Sequence, residues 1–428
     1  MPSYKSPRGT RDLLPDTRAG FGRLEGIARS LAARYGYREM EIPLFEQTAV
    51  FERGIGAATD VVEKELFRIA PRSEDSEAWA LRPEATAGIV RAFVQHGMHT
   101  WPQPVKLTVV GPMFRYDRPQ AGRYRQFWQW DAEAIGDSGP AVDAEVIEMG
   151  RRFYVEAGVP DVQVLLNSIG DSACRPGYLG TLKAYFAAHA AELPELELRR
   201  LELNPLRLLD SKDPSMRALI AAAPMISDHL CEACEAHFTA VKAHLDAMGV
   251  PYRLEPTLVR GLDYYARTAF EFYRRGAEGQ QQALGGGGRY DGLVELLGGR
   301  ATPAIGFALG LDRVLLALAE VGADAAVEVP PLAVVAGADP ADTVSRLRVA
   351  AMLRAEGLSV RVELAPRKLG RQLETASKEH AHFAVIIGDE LAEGNVQLKD
   401  LEAGTQRLVP LVDLARELAR AAKSHKHG

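Results

Sequence analysis

Apolar positions along this chain recur in two periods, and the switches between them outline its elements. Phe21, Leu24, Ile27, Leu31 and Tyr35 fall at helical spacing and Gly36 ends the run, so a long amphipathic helix is expected there. Residues 37–45 then alternate as a strand with Met40, Ile42 and Leu44 on one face. Pro43 inside it confines the strand to a sheet edge or an interface. Residues 61–69 and Trp79–Leu81 read as strands, and Thr86–Gln95 as a helix that Pro83 is placed to open. Residues 109–116 and Gln126–Ile135 read as two strands joined by a basic turn, with Pro119 and Gly122 in the turn. On the second of these strands Phe127, Gln129, Asp131, Glu133 and Ile135 share one face, and Trp128, Trp130, Ala132 and Ala134 the other.

A helix over 141–157 and a strand over 162–166 follow. Residues 171–248, rich in Ala, Leu and Glu, read as a helical insertion. Strand character returns at Tyr252 and over 268–273. Residues 301–318 read as a strand turning at Gly306 to Gly310 into an apolar helix. From 332 onward, strands (332–335, 360–364, Phe383–Ile387) alternate with helices (342–356, 368–378). Two more strands and a closing helix over 412–422 complete a separate α/β domain with a largely parallel sheet. The expected organisation is therefore a domain over 1–325 carrying the insertion, a linker over 326–331, and a second domain over 332–428.

Composition narrows the class without naming a function. The chain has 428 residues, 47% hydrophobic and 25% charged, with a net charge of −6, which argues against a protein that coats nucleic acid indiscriminately. No apolar run approaches the roughly 18 residues of a membrane span, and the N-terminus lacks the apolar core of a signal peptide. Three cysteines in so long a chain fit a reducing cytosol better than a disulfide framework. Cys231, Cys234 and His237 are spaced C-x-x-C-x-x-H, but Cys174 lies far upstream, so a buried thiol pair is expected and no metal.

The candidate chemistry clusters in a few stretches. The turn at 115–125 carries Arg115, Arg118, Arg123 and Arg125 against Asp117 alone, and guanidinium forks suit phosphate. Gln129 and Glu133 point one way from a strand that is otherwise core, so they need partners, and a ligand is one candidate. Glu84 is expected in the first turn of the helix at Thr86, favoured there by the dipole. Arg260, Asp263, Tyr264 and Tyr265 crowd around Gly261, with the adjacent tyrosines pointing to opposite strand faces. Gly285 to Gly288 let a ligand or another strand approach the backbone, and Tyr290 is a lining residue beside them. Arg313 is a cation in the first turn of a helix, a position that calls for a nearby anion.

These residues also carry a resemblance. VGPMFRYDRPQAGRYRQFWQWDAE resembles motif 2 of class II aminoacyl-tRNA synthetases, PAIGFALGLDRVLL motif 3, and the stretch from Gly20 to Phe45 motif 1. LVRGLDYY and LGGGGRYDG are similar to two signatures of the histidyl-tRNA synthetases, and RGTRDLLP and the C-terminal domain fit that family too. The resemblance runs end to end. It implies an α+β catalytic domain on a mostly antiparallel sheet, a C-terminal anticodon-binding domain, and a cytoplasmic homodimer. It implies ATP-dependent ligation of histidine to its tRNA through a histidyl-adenylate, with Mg2+ accompanying ATP. By resemblance Arg115 and Arg260 would be catalytic, gripping the α-phosphate and the histidine carboxylate. Arg313, Arg123 and Asp117 would bind ATP; Glu84, Thr86 and Gln129 the histidine α-ammonium; Glu133, Tyr264 and Tyr265 the imidazole. Some relatives carry a second cysteine pair in the insertion, where Ser211 and Met216 stand here. The alternatives are the non-catalytic regulatory paralogue of histidine biosynthesis, another class II synthetase (for threonine, proline or glycine), and a tRNA-binding module without catalysis. The first lacks the terminal domain and has eroded signatures.

Overall fold

In the computed structural model the residues described are all except 1–3, 57–58, 60, 72, 74–76, 119–121, 260–261, 263, 276–282, 324–330 and 426–428, with backbone alone for 422–425. Arg260 and residues 326–330 of the expected linker therefore lie outside the described residues. The chain divides into two compact units, 1–327 and 328–428.

The first unit opens with α1 (Pro15–Arg34), whose apolar stripe Phe21, Leu24, Ala28 and Leu31 is fully buried. The strand expected over 37–45 is instead two short pieces, β1 (Arg38–Glu39) and β2 (Phe45–Gln47). Pro43 between them has no amide to give to a ladder, which explains the break. A short helix, α2 (Thr48–Ile55), follows. The strand expected over 61–69 is a π-helical turn, Val61–Glu65, and only Arg68–Ile69 pairs, as β3. Thr59 starts that turn by accepting the amides of Val62 and Glu63, and Val61 and Val62 bury against Phe51 and Ile55 of α2. Local capping and packing outweigh β-branched propensity here. β4 (Trp79–Leu81) and α3 (Thr86–Gln95) lead to the long hairpin β5 (Val105–Phe114) and β6 (Gln126–Ile135).

Then come α4 (Pro140–Ala157), β7 (Val162–Ser168) and the helical insertion α5 (Arg175–Ala188), α6 (Glu195–Leu203), α7 (Arg217–Ala222) and α8 (Glu232–Ala247). β8 (Tyr252–Leu254), β9 (Ala266–Arg274), β10 (Gly285–Arg289), α9 (Leu293–Leu296), β11 (Ala304–Gly310) and α10 (Leu311–Glu320) complete the unit.

Eight of these strands form one sheet in the order β1-β5-β6-β11-β10-β9-β7-β8. Only the outer pairs β1–β5 and β7–β8 are parallel among the described residues, so the sheet is mostly antiparallel. Its two faces are dissimilar. One is sealed by α1, α4, α8 and α10 against Trp130, Ala132, Ala134, Phe270, Phe272 and Phe307. Burying each large aromatic there contributes about 2–3 kcal/mol. Trp130 is fully buried and donates its indole N–H to Thr108 Oγ1 at 2.7 Å, while Trp128 packs on Phe21; both face away from the opposite side of β6. That opposite side packs on α3 and α9 and carries Gln129, Asp131 and Glu133. The sequence periodicity of β6 thus separates core from site.

The second unit has β12 (Ala333–Gly337), α11 (Thr343–Ala355), β13 (Val360–Val362), α12 (Leu369–Lys378), β14 (Phe383–Ile387), β15 (Asn395–Asp400), β16 (Gln406–Pro410) and α13 (Leu411–His425). Its sheet, β13-β12-β14-β15-β16, is mixed rather than largely parallel. β13, β12 and β14 run parallel, and the loops after β14 and β15 return the chain antiparallel. No helix of the described residues is long and apolar enough to cross a membrane.

Candidate active site

The open face of the large sheet holds a cavity of about 410 Å³. Glu84, Thr86, Arg115, Asp117, Arg123, Gln129, Tyr264, Tyr265 and Arg313 line it, together with Phe127 and the backbone of Gly285, Gly286 and Gly310. Nine of the sequence candidates therefore meet at one place, although they come from four separated segments. Glu133 and Tyr290 lie beneath its wall, and Arg260 is outside the described residues.

Glu84 does not sit in the helix. It precedes α3 by two residues, and its carboxylate accepts the backbone N–H groups of Thr86 at 2.8 Å and Ala87 at 2.9 Å. Pro83 likewise stands in the bend before the helix, three residues before Thr86, because Ala85 is the residue that leads into the helix. The acid is a cap and a lining group at once. Burial raises its pKa, and the Ala87 amide, the Thr86 side chain and then the Arg115 charge work against that rise.

Thr86 turns its hydroxyl to the sheet and donates to Glu133 Oε1 at 2.6 Å, and Tyr290 donates to Glu133 Oε2 at 2.5 Å. Glu133 is fully buried, and burial pushes its pKa up to about 8, against the lowering effect of those two hydrogen bonds. The carboxylate fits because its neighbour on β11 is glycine. A Cβ on Gly306 would lie 1.5 Å from Glu133 Oε2. Next along the same face, both carboxylate oxygens of Asp131 are buried without a protein partner, as is Gln129 Oε1. Burial, then the nearby Glu133 and Glu84 charges, hold Asp131 well above the usual carboxylate range. This wall is an acceptor-rich patch that wants a cation or N–H donors.

The tyrosines do not alternate across a strand as expected. They precede β9, and their rings lie 4.6 Å apart, with Tyr290 packed edge-on to Tyr264 at 5.6 Å. Strand geometry begins only at Ala266, so the period-2 rule does not reach them. Both line the cavity, and burial raises the Tyr264 pKa well above normal. The quartet of glycines that forms β10 allows this packing: a Cβ on Gly288 would meet Thr268 O at 2.6 Å and the Tyr265 ring at 2.9 Å.

The same cavity also has a cationic lining. Arg115 donates its Nε to Pro83 O at 2.8 Å, and its guanidinium lies 5.5 Å from the Phe127 ring. Arg123 pairs with Asp117 at 2.9 Å. Arg313, in the first turn of α10, donates to Ala283 O, and burial and then the charges of Arg123 and Arg115 lower its pKa. Three guanidinium groups close enough to repel one another make an anion site. Arg125 is not part of it. Its backbone and side chain are used by Gly9 O, Arg8 O and Asp117 O, and it stacks on Tyr116 at 3.7 Å, so it ties the N-terminal segment to the turn.

Among the lining residues that sequence reading missed are Glu65 and, from the insertion, Arg200, Arg207 and Asp210. No local pattern marks them, since their approach to the cavity is set by how the insertion folds back. It also missed the hub formed by Asp143, which accepts from His237 at 2.8 Å, Thr268 at 2.6 Å and the fully buried Arg289. His237 is thereby held away from the cysteines.

Comparison with known proteins fits this geometry. The family model described as histidyl-tRNA synthetase matches residues 9–314, and one described as anticodon binding domain matches 333–421. A histidine–tRNA ligase of Moorella thermoacetica is 46% identical over 418 residues, 96% of this chain and 98% of that protein. The apo histidyl-tRNA synthetase of S. aureus superposes with a TM-score of 0.80 at 36% identity, covering 97% of this chain and 100% of that one. A Bacillus halodurans protein titled as an ATP phosphoribosyltransferase regulatory subunit/histidyl-tRNA synthetase gives 0.61 at 21% identity over 84% of this chain and 92% of its own, a likeness of fold alone. The regulatory alternative is the less supported.

Proposed function

The chain belongs to the histidyl-tRNA synthetase family, and as a member it joins histidine to its tRNA at the expense of ATP; on that premise we propose that the cavity just described is where histidyl-adenylate forms and is passed to the tRNA. One observation carries the reading: a single cavity brings the acceptors Glu84 and Gln129, with Glu133 behind them, together with the arginines Arg115, Arg123 and Arg313. An amino acid with a basic side chain and a triphosphate are chemically complementary to those two sets of groups.

Histidine enters with its α-ammonium toward Glu84, Thr86 and Gln129, where the orphaned Gln129 Oε1 gains a donor. Its imidazole meets Glu133, Tyr264 and Tyr265, with Tyr290 holding Glu133 from behind. Glu133 already accepts from Thr86 and Tyr290, so an imidazole N–H adds a further donor to it, and an apolar analogue forgoes that contact while still burying the polar wall. ATP lies along Arg115, Arg123, Asp117 and Arg313. The histidine carboxylate attacks the α-phosphorus, a bond forms from carboxylate oxygen to phosphorus, and the bond to pyrophosphate breaks. Charge accumulates on the phosphoryl oxygens, so positioning and fixed cations are the catalytic means. Arg115 and Arg260 supply them. The ribose hydroxyl of the tRNA end then attacks the acyl carbon and AMP leaves.

Magnesium would accompany ATP and would supply charge neutralisation at the outer phosphates. It takes hard oxygen donors, of which the phosphates themselves and the carboxylates lining the cavity, such as Glu65, would be the source. The second unit binds the anticodon, and the turn from Arg118 to Arg125 contacts the acceptor end. The working form is a homodimer through the β1 edge and motif 1, and the exposed Leu44, Phe45 and Trp79, the last two on the paired strands β2 and β4, are apolar surface that such a partner would cover. The enzyme works in the cytoplasm. The two units correspond to a catalytic domain over 1–325 and an anticodon-binding domain over 332–428. A non-hydrolysable histidyl-adenylate analogue tests the site. It should raise the melting temperature well beyond histidine or ATP alone, since it engages both sets of groups at once. Equal shifts for all three would refute a shared cavity.

A further inference from the structure

Away from the cavity, the two stems of the helical insertion meet. Asp171 and Cys174 leave β7, Cys231 and Cys234 open α8, and one ligand atom from each lies within 4.8 Å of all the others. Cys174, which sequence distance had set aside, comes within 3.8 Å of Cys234, sulfur to sulfur. We propose that Asp171, Cys174, Cys231 and Cys234 form a tetrahedral zinc site that clamps the insertion to the catalytic sheet.

The distances carry this. A zinc–sulfur bond of about 2.3 Å makes the edge of a regular tetrahedron about 3.8 Å. The observed separations are 3.8 Å between Cys174 and Cys234, 3.7 Å from Asp171 Oδ1 to Cys174, and 3.9 Å from Asp171 Oδ1 to Cys231. The Cys174–Cys234 separation is far above the about 2.05 Å of a disulfide.

Both halves are built as knuckles with two residues between ligands. In the first, Gly170 takes a φ of +65°, and a Cβ there would lie 2.8 Å from the Cys174 sulfur, so only glycine lets the loop wrap it. The Asp171 amide donates to Cys174 Sγ at 3.4 Å. In the second, Cys231 is the residue before α8 and the Cys234 amide turns toward its sulfur. The surroundings orient the fourth ligand: Arg267 holds Asp171 Oδ2 at 3.1 and 3.3 Å, which presents Oδ1 to the sulfurs and offsets the anionic set. Three sulfurs and one oxygen in tetrahedral array select zinc over hard cations. The clamp also reaches toward the cavity. Arg175, next to Cys174, donates to Gly170 O at 3.1 Å and to Tyr265 O at 2.8 Å, so the metal loop supports the backbone of a cavity tyrosine.

The test uses the full chain, purified without chelator and without a polyhistidine tag. Elemental analysis should find one zinc per chain, released when a mercurial blocks the thiols. Cobalt(II) should restore binding with intense tetrahedral ligand-field bands and thiolate charge transfer. Cys174→Ser should lose the metal, and Asp171→Ala should weaken cobalt at least about tenfold while keeping the thiolate bands. The unmodified protein decides the matter even where a variant fails to fold. Metal-free protein that gives no such cobalt bands overturns the site. So does a Cys174–Cys234 disulfide in freshly isolated protein, or zinc retained in full by Cys174→Ser.

Discussion

Glu133→Gln is the substitution that separates the proposed recognition from simple packing. The carboxyl is fully buried, takes hydrogen bonds from Thr86 and Tyr290, and its pKa rises from 4.5 to about 8 through burial. A group with a raised folded pKa contributes stability that is fully present below about pH 4.5 and is lost as pH climbs through about 8, because the unfolded chain gives up its proton first. At about 1.4 kcal/mol for each pH unit, the rise is worth about 5 kcal/mol across that window. Glutamine has the same shape, bonds both hydroxyls and never ionises. The variant should therefore match the parent near pH 5 and be progressively more stable toward pH 8, read as the denaturant midpoint at unchanged m-value. On the proposed reading, bound histidine shares a proton with this carboxyl. Loss of that charge-assisted contact, about 1.5–3 kcal/mol, should raise KM for histidine roughly tenfold to 150-fold with a much smaller change in kcat. Parallel stability curves for variant and parent would show that Glu133 does not carry the buried proton. An unchanged KM would refute its role in reading the imidazole.

Other substitutions probe separate parts of the site. Arg260→His should abolish histidine-dependent pyrophosphate exchange while leaving the melting temperature within about a degree or two of the parent, and retained turnover would move the catalytic cation elsewhere. Gly306→Ala places a carbon where Glu133 Oε2 sits, so it should cost about 1–3 kcal/mol in denaturant unfolding and raise the histidine KM; a silent substitution would mean that the carboxyl is not fixed there. Charge reversal at Arg367 and Lys399 of the second unit should raise KM for tRNA and leave exchange untouched, as a filter-binding titration against ionic strength would show. An equal loss in both assays would place the effect on folding.

What could be read from the chain in advance depended on whether the controlling interaction was local. Gln129 and Glu133 were legible because a pleat sets their direction whatever lies around them, and Trp128 and Trp130 fell on the opposite face for the same reason. Residues 61–65 misled because β-branched side chains favour a strand until Thr59 caps a turn and Phe51 offers a packing surface. Tyr264 and Tyr265 misled because the period-2 rule was extended to them although β9, which begins at Ala266 rather than at 268, still starts after both, with Arg267 at a φ of +51° marking the irregular entry. Arg200 and Arg207 reach the cavity, and Cys174 reaches Cys234, through folding of a long insertion. No spacing rule bridges 60 residues. The resemblance to a family supplied roles for residues whose neighbours only the fold reveals.

The most direct measurement is ATP–pyrophosphate exchange without tRNA, run against all twenty amino acids. The account predicts exchange with histidine alone. Exchange with another amino acid would contradict the reading of Glu133 and its wall, and no exchange from folded protein would contradict adenylate formation itself.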